Sequence, residues 1–148
     1  MTIRLNTQLE FENIFVTITK LKRKLDAQIE AELHWRGYKN FKSSYLPIFI
    51  LLYKYPSTVV QIAEAYGITK QGISKLSKEM MAEGFIKTLV NKEDRRSTHL
   101  LLTAKGKRLA TEARKCIKKL NENYKSLLGF NKFDNMNDML VSLLALHE

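Results

Sequence analysis

The chain has 148 residues, 45% of them hydrophobic, and a formal net charge of +10. That length accommodates one domain with a sizeable core and not two independent ones, and the apolar fraction excludes a disordered chain. The positive excess calls for an anionic partner (DNA, RNA or an acidic membrane surface) without choosing among them. Only two prolines, Pro47 and Pro56, and six glycines fit a mainly helical protein, and both prolines fall near the start or end of a candidate helix. No basic-then-apolar signal opens the chain, and the apolar stretch YLPIFILLY falls short of the ~18 residues needed to cross a bilayer. The expectation is a cytoplasmic protein with no membrane partner. The single cysteine, Cys116, excludes an intramolecular disulfide and fits a reducing compartment.

Residues 8–36 carry a long amphipathic pattern. Phe11, Ile14, Phe15, Ile18, Leu21, Leu25 and Ile29 recur at three- and four-residue spacing, with Lys20, Lys22, Arg23 and Lys24 on the other sides. Where that helix should end, His34-Trp35-Arg36-Gly37-Tyr38 gathers aromatic and basic groups. A second helix over residues 44–55 holds Leu46, Phe49, Ile50, Leu52 and Tyr53. Its hydrophobicity nearly all round predicts a core position.

Two short helices follow. The first can be capped by Ser57 or Thr58, places Val59, Ile62 and Ala63 on one face, and ends at Tyr66-Gly67. Ile68 then packs inward and Thr69 can cap the next helix. There Ile73, Leu76 and Met80 form a buried stripe, while Gln71, Ser74, Lys75 and Lys78 share the opposite face, with Lys70 beside them. That face is net basic and carries groups able to hydrogen-bond to base edges as well as phosphates. Two helices about a glycine-containing turn make a helix-turn-helix. Gly72, costing ~1 kcal/mol against Ala in a helix interior, admits two readings: close approach of a phosphate or base edge, or close packing against the preceding helix.

Glu83-Gly84 ends the second of these helices. Residues 85–90 (FIKTLV) and 98–103 (THLLLT) are β-prone runs of matched length around the polar segment NKEDRRS, with Lys92, Arg95 and Arg96 at its tip. Arginine on a slender finger suits a narrow minor groove. Asp94 is expected to pair with an arginine and stiffen the tip. After Gly106 a long helix resumes with the stripe Leu109, Ala113, Cys116, Ile117, Leu120, Tyr124, Leu127 and Leu128. Gly129 interrupts, and a last helix over residues 134–146 carries Met136, Met139, Leu140, Leu143 and Leu144. The two ends together present more apolar helix surface than the small middle can cover, which predicts pairing with a second copy.

Several of these pieces resemble the winged helix-turn-helix of the MarR family of bacterial transcription regulators. They are Gln61-Ile62-Ala63, the run ITKQGISKLSKEM, Glu83-Gly84-Phe85-Ile86, Asp94-Arg95-Arg96-Ser97 and Leu102-Thr103-Ala104-Lys105-Gly106. The last two are specific in combination, although the matches together span less than half the chain. The resemblance implies a mainly α fold with a small β-hairpin wing. The single domain, 1–148, would hold a winged helix-turn-helix DNA-binding lobe at 44–104 and helical dimerisation regions at 1–36 and 105–148. It implies that Arg96 enters the minor groove, that Asp94 orients the wing arginines, and that the exposed residues of the second helix read the major groove. It also implies a two-fold dimer whose recognition helices meet successive major grooves ~34 Å apart.

The expected DNA-binding set is therefore Thr69, Lys70, Gln71, Ser74, Lys75, Lys78, Lys92, Arg95 and Arg96, in a homodimeric, ligand-responsive repressor of double-stranded DNA. Small aromatic or anionic effectors of the family lodge between the stalk and the DNA-binding lobe. Trp35, Tyr38, Tyr45 and Phe49, with His34 or Arg36 meeting an anion, are the candidates for such a pocket; simple hinge packing is the alternative for each. The competing function is a winged-helix interaction module docking an acidic protein. His34, His99 and His147 lack the spacing of a metal site, and no paired carboxylates, phosphate-cradling glycine loop or Ser/His/Asp set supports catalysis. The chain is expected to be no enzyme and to need no cofactor. Cys116, on an apolar stripe, is expected to be an inert hydrophobe, even with Lys115 and Lys119 near it.

Overall fold

The structure, a computed structural model, describes residues 13–90, 92–94 and 97–148. Phe11 of the first apolar stripe and Arg95 and Arg96 of the hairpin tip lie outside them. The chain runs through α1 (Asn13–Trp35), a 3-10 turn (Ser43–Tyr45), α2 (Leu46–Lys54), α3 (Val59–Tyr66) and α4 (Lys70–Ala82). It continues through β1 (Ile86–Val90), β2 (Thr98–Leu102), α5 (Ala104–Leu128) and α6 (Phe130–Ala145). Two boundaries differ from the sequence expectation. The second helix opens as a 3-10 turn and becomes α-helical only at Leu46, with Pro47 in its first turn, where the missing N–H leaves no bond unmade. The last helix starts at Phe130, directly after Gly129, instead of near Asp134.

The middle of the chain is pinned by local hydrogen bonds. Thr58 and Gln61 form a reciprocal capping box on α3: the Thr58 hydroxyl accepts from the Gln61 backbone N–H at 3.2 Å, and the Gln61 side-chain Oε1 accepts from the Thr58 N–H at 2.9 Å. Gly67 ends α3 in the left-handed region at φ 62°. Gly84, at φ 74°, closes α4 in a Schellman motif, the Gly84 N–H reaching the Met81 carbonyl and the Phe85 N–H the Met80 carbonyl. That motif engages Phe85, so β1 begins one residue later than the β-prone run. The two strands pair antiparallel from Ile86↔Leu102 to Val90↔Thr98. Ser57 adds a bridge to β2, exchanging both backbone bonds with Leu100 at 3.1 and 2.8 Å. The hairpin is thereby tied to the start of the helix-turn-helix.

The core lies around α2. Ile48, Phe49, Leu51 and Leu52 are buried there, with Leu33 of α1, Ile62 of α3, Ile73 and Met80 of α4, Leu100 of β2 and Leu109 of α5. Each such side chain contributes ~1.5–3 kcal/mol of transfer free energy. An aromatic cluster joins the layers, with ring centroids 6.4 Å apart for Phe41–Phe49, 6.4 Å for Tyr45–Phe85 and 5.8 Å for Phe49–Phe85.

Outside this lobe the helices project. On α5, Leu109, Ala113, Cys116 and Leu120 are buried, but Leu127 is 80% exposed. α6 buries no residue, and on α1 Phe15 remains 77% exposed. Among the described residues no helix is long and apolar enough to cross a membrane.

Candidate nucleic-acid interface

The face of α4 follows from its register. Ile73, Ser77 and Met80 are buried, Leu76 is half-buried, and Thr69, Lys70, Gln71, Lys75 and Lys78 are exposed with Ser74 half-exposed. Lys70, Gln71, Ser74, Lys75 and Lys78 line one shallow groove, joined there by a single acid, Glu79. The structure thus brings the expected helix residues together, and the other described residues leave them uncovered. Thr69 caps the helix, its hydroxyl accepting from the Gly72 N–H at 3.1 Å. A β-carbon on Gly72 would lie 3.1 Å from that same hydroxyl and 3.4 Å from a methyl of Ile68. The tight neighbours of Gly72 are therefore the capping turn itself, a variant of the packing reading in which the turn, and not the body of α3, is the crowded partner.

Two features the sequence reading passed over bear on the helix-turn-helix, one at the start of α3 and one on α4. The Thr58-x-x-Gln61 spacing was a visible capping-box signal. Lys42, by contrast, lies far from α4 in sequence, yet its ammonium pairs with the Glu79 carboxylate at 2.9 Å, and the Tyr45 hydroxyl donates to the same oxygen at 3.3 Å. These contacts, the Lys42 bond first, hold the Glu79 carboxyl below the usual glutamate range.

At the hairpin tip Lys92 and Asp94 are exposed, and the Asp94 carbonyl accepts from the Ser97 N–H at 3.0 Å, closing the turn. The remaining expected tip residues, Arg95 and Arg96, fall outside the described residues.

The six candidates for an effector pocket are not gathered into one cleft. Tyr45 and Phe49 belong to the core, 2% and 1% exposed, because α2 is covered on most sides. Trp35 is 83% exposed. Arg36 reaches α5, pairing with Glu112 at 2.8 Å and with Glu32 at 2.8 Å. Tyr38 is half-buried in hinge packing. His34 and Tyr45 alone of the six share a pocket of about 510 Å³, with Glu30, Lys42, Glu79 and Glu83. A larger groove, about 840 Å³, opens elsewhere, between α2, α5 and α6, lined by Ile50, Arg114, Lys118 and Phe133 among others.

Cys116 is buried, and burial pushes its thiol above the ordinary value against a smaller opposing pull from Arg36. Among the described residues no cluster of three or more His, Cys, Asp or Glu side chains is placed to hold a metal ion.

The sequence matches no family model and no curated protein. Solved structures do match. A MarR transcriptional regulator from Methanosarcina mazei Go1 aligns at a TM-score of 0.79 and 21% identity, over 92% of this chain and 96% of that one. The transcriptional repressor CouR, solved bound to a 23-mer DNA duplex, aligns at 0.79 and 20% identity, over 95% and 99%. MepR from S. aureus, solved as a DNA complex, aligns at 0.78 and 18% identity, over 93% and 98%. Over most of its length the chain carries the fold of the MarR-family transcriptional regulators, a winged helix-turn-helix set between long flanking helices.

Proposed function

We propose that this chain is a sequence-specific, double-stranded DNA-binding transcription regulator, a ligand-responsive repressor that grips a pseudo-palindromic site as a homodimer. The observation that carries the reading is the basic groove on α4, bordered by Gln71 and Ser74 and left uncovered by the other described residues. Lys70, Lys75, Lys78 and Lys92 supply salt-dependent affinity by displacing counterions from phosphates. Gln71 and Ser74 offer donors and acceptors to base edges in the major groove, and Arg95 and Arg96 serve the minor groove. Thr69 orders the first turn, and Asp94 steadies the tip.

Residues 44–104 act as the DNA-binding lobe, with 1–36 and 105–148 as the dimerisation region. The exposed apolar side chains Phe15, Leu127, Leu140 and Leu144 support that division, since a second copy can cover them. A small anionic or aromatic effector that favours a different spacing of the two lobes releases the DNA. The groove of about 840 Å³ between α2, α5 and α6, where Arg114, Lys115, Lys118 and Lys125 outnumber Glu122 and Asp134, offers a place for it.

Selection of duplexes from a random pool by the purified protein tests the reading. Enrichment of a palindrome supports it, and recovery of no preferred sequence overturns it. Light scattering at micromolar concentration checks the dimer, and a monomer there removes the two-fold site.

A further inference from the structure

We propose that Lys42 and Glu79 form a positioning pair that sets the angle of α4 on DNA by strapping its C-terminal half to the segment between α1 and α2. The inference rests on the DNA-binding reading above and adds to it a residue outside the helix-turn-helix.

The strap, residues 38–45, is anchored at both ends. On the α1 side the Tyr38 N–H donates to the Leu33 carbonyl at 2.9 Å. The Ser43 N–H donates to the Glu30 carboxylate at 2.7 Å. The His34 Nε2 lies 2.8 Å from the Phe41 carbonyl oxygen; a carbonyl only accepts, so that nitrogen carries the proton. Phe41 itself is 1% exposed and stacks on Phe49. On the α4 side Lys42 and the Tyr45 hydroxyl hold Glu79, and the Asn40 amide donates to Glu83 at 2.7 Å. Glu79 and Glu83 lie one helical turn apart, so the strap grips α4 at two successive turns.

Glu79 is the one acid among the described residues lining the basic groove. A carboxylate so close to DNA phosphates is unfavourable unless it serves another purpose. Its partners identify that purpose: both come from the strap, and no lysine of α4 is bonded to it. Lys75 acts on Glu79 only through space, so the α4 lysines keep their ammonium groups for phosphates while the acid at the groove's edge ties the helix to the strap. An error of an ångström at α4 spoils bidentate base contacts but not diffuse phosphate contacts. The pair therefore acts on specificity and not on bulk affinity.

Fluorescence anisotropy separates these effects, using the duplex selected by the wild type and a scrambled duplex of equal length. Lys42→Gln and Glu79→Ala change the net charge in opposite directions. Positioning requires both to lower the ratio of selected to scrambled affinity, by about threefold to fivefold each. The double variant Lys42→Gln/Glu79→Ala then loses no more than either single one, and Lys42→Arg, which keeps the pair, stays within about twofold of wild type. If the two single variants shift affinity in opposite directions with the ratio unchanged, the residues act only as charges and the proposal fails. An unchanged ratio in Lys42→Gln alone also defeats it, while leaving DNA binding intact. A wild type that selects no duplex removes both readings together.

Discussion

A β-carbon on Gly106 would sit 1.9 Å from the carbonyl oxygen of Phe85. The first turn of α5 is thus pressed onto the joint between α4 and β1. Thr103 completes the joint: its hydroxyl donates to the Gly84 carbonyl at 2.6 Å and accepts from the Gly106 N–H at 3.0 Å, while its own N–H donates to the Phe85 carbonyl at 3.0 Å. The Leu-Thr-x-x-Gly run is a device for leaving the wing and starting the long helix in one step. Because the obstacle is backbone, Gly106→Ala should destabilise the fold by more than ~3 kcal/mol. Urea unfolding checks this, and a loss under ~1 kcal/mol would contradict the contact.

Ser77 lies on the buried side of α4, 2% exposed, with no hydrogen-bond partner for its hydroxyl among the described residues. Ser77→Ala removes that burden and improves helix propensity, so it should stabilise the protein by about 1 kcal/mol. A lower melting temperature for the variant would show that the hydroxyl is satisfied.

Under the DNA-binding reading, Lys75→Gln and Lys78→Gln should each reduce the slope of log affinity against log salt by ~1 and weaken all duplexes alike. Arg96→Ala should cost ~1–3 kcal/mol of affinity. Titrations at several salt concentrations test both, and an unchanged affinity for Arg96→Ala removes the wing from the interface.

The Glu30 carboxyl is held below the usual glutamate range, chiefly by the backbone N–H of Ser43 that it accepts. A carboxyl whose folded pKa is lower than its unfolded one stabilises above the unfolded value, and that contribution disappears as the pH falls through the folded value. Glu30→Gln should therefore melt below wild type at neutral pH, with the gap closing in acid. A gap that is constant across the acid range would mean that Glu30 contributes through packing.

Cys116 combines burial with a raised thiol pKa. A thiol reagent at neutral pH should label the folded protein at least ~10-fold more slowly than the urea-unfolded chain. Peroxide should leave duplex affinity unchanged. Rapid labelling of the native state would overturn the buried assignment.

Much of the lobe was legible in the residues. The stripe of Ile73 and Met80, the stop at Gly67 and the paired β-prone runs each depend on neighbours within a few positions. Spacing alone therefore predicted which side of α4 stays outside. Tyr45 and Phe49 illustrate the opposite case. Aromatic residues beside a hinge suit a pocket as well as a core, and only the approach of Phe41 and Phe85 makes them core. The start of α6 at Phe130 was less evident: the helix follows Gly129 directly and has no side-chain cap to mark it, although Phe130, Phe133 and Met136 already stand at three-residue spacing.

By itself the sequence determined what local chemistry determines: the helical register, the caps, the hairpin and the excess of positive charge on one face. The tertiary structure alone decided that Lys42 meets Glu79, that Gly106 meets the Phe85 carbonyl, and that Ser57 joins the wing at Leu100. The reason is physical. A helix or turn minimises its free energy over a handful of adjacent residues, whereas those meetings exist only after the packing of α2 against α3, α5 and the hairpin, and of α4 against the 3-10 turn, has brought remote segments within bonding distance.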